Sequence, residues 1–235
     1  MVAGAPWIRA RAGTGLVNTP TIALISATNL AIGPAQEALQ IRLPDYELWN
    51  ILDDRLLVDA QAHGKVTSEL HRRMNRLIDH ALAGKARGIL LTCSLYGFVT
   101  ADYSRSPVPV LPPDEAAFKD VTRSQARGVL VLASIEAAAR DSADRLSTHL
   151  QHVKSAMTVL PVTVPEAAKA AHSGDRELLA DMLTNAVSQA PAGYALLLAQ
   201  YSLAPAVSLL AERTNRPVFS GPSSAAKELA AMLHT

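Results

Sequence analysis

The chain has 235 residues, of which 49% are hydrophobic, 18% charged and 4% aromatic, a globular composition rich in Ala, Leu and Val that excludes a disordered protein. A formal net charge of +1 lacks the basic bias with which proteins hold phosphate backbones or anionic lipid, so neither nucleic acid nor a membrane surface is an expected partner. Its single cysteine cannot form an internal disulfide, and the expected setting is a reducing cytoplasm.

In chain order, residues 1–19 carry Arg9 and Arg11 but no continuous apolar segment of signal-peptide type, and read as a loose extension. Short apolar runs then recur: TIALIS (21–26), GILLTC (88–93), GVLVLAS (128–134), AMTVLPV (156–162), YALLLAQ (194–200) and PVFS (217–220). Their hydrophobicity is continuous rather than alternating, which predicts strands covered on both faces, as in parallel sheets. Even the longest apolar stretch, around 194–212, is interrupted by Gln200, Ser202 and Pro205 and is no membrane span.

Amphipathic segments lie between the runs. Val66, Leu70, Met74, Leu77, Ile78, Ala81 and Leu82 recur at spacings of three and four, which predicts a helix with Arg72, Arg73 and Asp79 toward water. Leu178, Leu179, Met182, Leu183, Ala186 and Val187 repeat the pattern, and Ala225, Leu229, Met232 and Leu233 close the chain with it. Alternating strands and helices make the fold class α/β.

Aligning GILLTC with ALLLAQ puts Cys93 opposite Gln200, and the same offset of 107 positions lays ALISA (23–27) over LVLAS (130–134). A shared offset in two strand pairs implies two similar lobes. Residues 20–112, completed by 216–235, form the expected first lobe and 113–215 the second, joined by the proline-rich crossover SPVPVLPPDEAAF (106–118). Asp114 and Glu115 start the first helix of the second lobe, where acidic residues commonly cap. Cys93 and Gln200 then fall just beyond the carboxyl ends of strands, where α/β sheets place ligands.

The residues ALISATNLAIGPAQEAL, GILLTCSLYG, LLLAQYSLAPAV and PVFSGPSSAAKEL, in this order and spacing, resemble the aspartate/glutamate racemase superfamily, which includes amino-acid and hydantoin racemases, maleate isomerases and arylmalonate decarboxylases. The likeness spans roughly residues 20–235 and is nearest a racemase-like subgroup with Cys-Ser at the first site and Ala-Gln-x-Ser at the second. It implies two α/β lobes with pseudo-twofold parallel sheets, an active site in the cleft between them, chemistry without a cofactor and a homo-oligomeric assembly. In the family's two-base racemases a cysteine from each lobe flanks the substrate carbon. Here Cys93 matches the first and Gln200 replaces the second, so symmetric two-thiol racemisation does not follow.

Cys93 is accordingly the candidate catalytic acid/base. A glutamine amide has no acid or base function near neutrality but donates hydrogen bonds to carboxylate or enolate oxygens. Ser94, Gln200, Ser202, Ser26, Asn29, Ser134 and Ser223 are candidate substrate contacts, each with helix or turn capping as its ordinary alternative. For Cys93 that alternative is a small buried hydrophobe. Asp54, in the Asp53-Asp54 pair, is a weaker candidate. His149 and His152 lack a third ligand at metal spacing, and no phosphate loop is present. The expected function is a cofactor-independent racemase or epimerase acting on a small carboxylate or cyclic amide. An arylmalonate-type decarboxylase and a non-catalytic carboxylate-binding protein are the alternatives.

Overall fold

A computed structural model describes residues 19–234; the expected loose extension over 1–19 lies, apart from Thr19, outside the described residues. The chain alternates strand and helix into two four-stranded parallel sheets, an α/β fold with two similar lobes. In the first, β1 (Thr21–Ser26), β2 (Glu47–Leu52), β3 (Gly88–Leu91) and β4 (Val110–Leu111) take the order β2-β1-β3-β4. In the second, β5 (Gly128–Ala133), β6 (Thr158–Thr163), β7 (Tyr194–Leu198) and β8 (Val218–Ser220) take the matching order β6-β5-β7-β8.

The internal repeat is visible in the register. In the first sheet Ile22 pairs with Gly88 and Ile25 with Leu91; in the second Val129 pairs with Ala195 and Leu132 with Leu198. Each residue of the second set stands 107 positions after its counterpart, the offset read from the sequence.

The central strands β1, β3, β5 and β7 are buried almost throughout, as continuous apolar runs require, and each fully buried Leu or Ile contributes roughly 1.5–3 kcal/mol. The expectation of two covered faces fails at β6, which is an edge strand whose residues stay largely exposed. Its counterpart β2 is also a half-exposed edge, which is why ELWNIL does not read as a continuous apolar run.

Nine α-helices are described: α1 (Ile32–Arg42), α2 (Arg55–Ala62), α3 (Ser68–Ala83), α4 (Glu115–Arg123), α5 (Glu136–His152), α6 (Ala167–Ser173), α7 (Arg176–Ala186), α8 (Val207–Thr214) and α9 (Gly221–Leu233). On α3 the Thr67 hydroxyl caps Leu70 N at 3.3 Å, and Leu70, Met74, Ile78 and Ala81 bury the predicted stripe against the first sheet. Arg73 is not left to water: its guanidinium forks onto Asp53 at 2.6 and 2.7 Å, tying α3 to the loop after β2. The segment 216–235 serves both sheets, because β8 pairs with β7 while Ala225, Ala226 and Leu229 of α9 pack with Ile22, Leu24 and Leu90 of the first. Among the described residues no helix is long and apolar enough to cross a membrane.

Candidate active site

Cys93 and Gln200 follow β3 and β7 and occupy equivalent places. Each is an extended residue, with φ −115° and ψ 115° at Cys93 and φ −127° and ψ 137° at Gln200, and each precedes a 3-10 helix, Ser94–Tyr103 and Tyr201–Ala206 respectively. The strand therefore delivers the side chain to the sheet's carboxyl end while the helix turns its first amides back toward it. The backbone N–H groups of Leu95 and Tyr96 reach the Cys93 sulfur and favour its ionised form. Burial outweighs them: the thiol, half covered and packed on the first sheet's core, is pushed up to about 11, with the negative charge of Asp114 adding to the rise. At neutral pH Cys93 holds its proton.

Gln200 is fixed by Ser134, at the end of β5. Its Oε1 accepts the Ser134 backbone N–H at 2.6 Å and the Ser134 hydroxyl at 2.9 Å. Because a backbone N–H can only donate, the carbonyl end of the amide must face it, which leaves the Nε2 hydrogens as the donors Gln200 can offer a ligand. The structure thus brings Gln200 and Ser134 together, and Cys93 with its neighbour Ser94.

Ser26 is buried at the end of β1, where its Oγ accepts from Thr92 Oγ1 at 2.8 Å and braces β1 to β3 beside Cys93. Asn29 is exposed on a short 3-10 turn, and Ser202 is half-buried on the second 3-10 helix. Ser223 is exposed in the first turn of α9 and lines a cavity of about 200 Å³ against α1 and α8, together with Glu37 and Arg176. A second cavity, of about 400 Å³, opens between α4 and α5 and is walled by Phe118, Arg145, His149 and His152. Cys93 lines neither. Asp54 is exposed at the start of α2, and it is Asp53 that is engaged, by Arg73.

Two residues not singled out for chemistry form an ion pair at a buried carboxylate. Asp114 occupies the cap position of α4, as the helix start predicts, but its side chain makes no capping hydrogen bond, so the expected capping role does not hold. The carboxylate is buried and lies 2.7 Å from Arg145 Nη2. Desolvation raises its pKa, against the pull of Arg145 and Ser94. Arg145 looks in the sequence like one of the solvated positions of α5, yet its guanidinium also lies 5.5 Å from the Phe118 ring centre and pairs with Asp141 at 2.9 Å. A buried carboxylate is only signalled by its partners, which lie far away in sequence.

No protein-family model matches the chain, and no curated protein matches it. Among solved structures it is similar to aspartate racemase from Picrophilus torridus, with a TM-score of 0.69 and 14% identity over 92% of this chain and 94% of that one. Glutamate racemase from Francisella tularensis in complex with D-glutamate gives 0.68 and 13% over 93% and 82%. Allantoin racemase from Klebsiella pneumoniae gives 0.67 and 15% over 92% and 88%. The chain shares the fold of these racemases.

Proposed function

We propose that the protein is a cofactor-independent racemase-type isomerase acting on a small carboxylate or cyclic amide, with Cys93 as its acid/base. The observation that carries this reading is the equivalence of Cys93 and Gln200 at the ends of β3 and β7 in a racemase fold. Proton removal next to a carbonyl or carboxylate leaves an enolate-like anion, and the cost of that charge is met by fixed donors. Gln200 Nε2 and Ser202 supply them from the second lobe, Ser94 from the first. Ser26, Ser134, Asn29 and Ser223 complete the proposed set, the first two by bracing the strand ends and the last two as outer contacts.

With one thiol, the two half-reactions are not symmetric. Cys93 in its anionic form takes the α-proton, and Gln200 has none to return, so the opposite face is reprotonated by water or a hydroxyl. The raised thiol favours a second reading. A cysteine that holds its proton at pH 7 is a ready donor to an enediolate, the single proton transfer that a decarboxylase of the arylmalonate type requires.

Incubating the protein in deuterium oxide with enantiopure cyclic amides and α-substituted carboxylates separates the readings. Deuterium at the stereocentre with the carbon skeleton intact is the outcome expected of the isomerase. Stoichiometric release of carbon dioxide assigns the decarboxylase, and ligand-dependent stabilisation with neither reaction leaves a binding protein.

A further inference from the structure

A cavity of about 200 Å³ lies where α1 of the first lobe meets α8 and the start of α9, and Cys93 does not line it. Ser220, the N-cap residue of α9, does. It is 2% exposed, its side chain caps nothing, and its hydroxyl has no hydrogen-bond partner among the described residues. A buried hydroxyl left in that state is costly unless something in the cavity meets it. The first-turn amides of Gly221 and Ser223 receive no side-chain acceptor from Ser220 either, and Pro222 between them has no N–H. The charged residues lining the cavity are Glu37 of α1 and Arg176 of α7, an ion pair at 3.0 Å that joins the two lobes and in which both side chains are more than half exposed. A pair this exposed contributes little, and it engages only Nη2 of the Arg176 fork, so the guanidinium can turn to another anion at small cost.

The matching place in the other copy carries an anion of its own. Asp114 is the N-cap residue of α4, the helix that follows β4 as α9 follows β8, and its carboxylate meets Arg145 Nη2 at 2.7 Å. At α9 the neutral Ser220 holds the cap position instead, and Ala38, 107 positions before Arg145, lines the cavity. We propose that this cavity is a second ligand site, which takes a phosphate group as inorganic phosphate or a small phosphate ester. Its donors are the Arg176 guanidinium, the Ser220 and Ser223 hydroxyls and the first-turn amides of α9, a helix end whose dipole favours negative charge. A carboxylate brings two oxygens to such a set, whereas a phosphate ester brings three and suits the fork of an arginine. Glu37 is the competing anion, and phosphate replaces it on Arg176. The site is separate from the proposed reaction, since of the proposed substrate contacts only Ser223 lines this cavity.

The test is calorimetric titration with inorganic phosphate and, separately, methyl phosphate, at an ionic strength held constant with sodium chloride so that general screening does not count as binding. The tighter of the two identifies the form the cavity takes. Arg176→Gln is expected to weaken binding about tenfold and Ser220→Ala by a few-fold, while Glu37→Gln, which removes the competitor, is expected to tighten it about fivefold. Cys93→Ala is expected to bind as the wild type does. If Ser220→Ala does not fold, the Arg176 and Glu37 variants decide, because both side chains are exposed. Absence of binding to either probe, or binding that Arg176→Gln and Glu37→Gln leave unchanged, overturns the proposal. Binding lost in Cys93→Ala overturns it as well, by placing the phosphate at the thiol. No turnover is measured, so this site can fail while the isomerase reading stands, and the converse.

Discussion

Cys93 and Gln200 stand 107 positions apart at the same place in two copies of one unit, each the extended residue between a central strand and a 3-10 helix. The backbone is symmetric and the chemistry is not. One side presents a thiol, the other an amide whose oxygen is committed to Ser134.

That commitment predicts two different outcomes at one position. Gln200→Ala removes the acceptor for a buried N–H and is expected to lower stability by about 1–3 kcal/mol, read from the denaturant midpoint. Gln200→Glu keeps an acceptor for Ser134 but loses the donor and adds a negative charge. It should fold normally and lose turnover by a factor on the order of one hundred. Equal activity in Gln200→Glu and the wild type would remove Gln200 from the binding of an anionic intermediate.

Stability at alkaline pH should carry the signature of the thiol. The folded protein holds the Cys93 proton from the ordinary thiol value of 9.0 up to about 11, so in that window the native state binds more protons than the unfolded one. The stabilisation, at most about 2–3 kcal/mol, is fully present below pH 9 and lost as pH rises to about 11. Cys93→Ala should show a shallower alkaline loss than the wild type in urea titrations at pH 8.5 and 11. Parallel losses would place the sulfur in contact with water in the folded state.

The two lobes meet closely at Gly221, where an added Cβ would stand 2.5 Å from the Tyr201 ring and 2.6 Å from the Pro113 carbonyl oxygen. Gly221→Ala must therefore push apart the contact that holds Tyr201 to Pro113. A loss of about 1–3 kcal/mol is expected from this overpacking, measured by chemical denaturation. A variant as stable as the parent would show that α9 can shift without cost.

Much of the fold is legible in the sequence itself. The central strands announce themselves because burial on both faces demands unbroken apolar runs, and the offset between GILLTC and ALLLAQ is the register of the β1–β3 and β5–β7 ladders. The edges were harder: Glu47–Leu52 mixes exposed and covered residues, and Val110–Leu111 is two residues inside a proline-rich crossover. The inward turn of Asp114 is hidden from the sequence for a different reason. An acidic residue at a helix start has the same sequence appearance whether its carboxylate caps the helix or turns inward, and only the arrival of Arg145 from another element separates the two. The pairing of Ser134 with Gln200, 66 residues apart, is equally invisible to local pattern.

The most direct test of Cys93 as the working acid/base is α-carbon deuterium exchange in deuterium oxide, compared between the wild type and a folded Cys93→Ala variant on the same enantiopure substrate. The wild type should take up deuterium as optical rotation decays, and Cys93→Ala should do neither. Exchange by Cys93→Ala at the wild-type rate would contradict the account and move the chemistry to another residue.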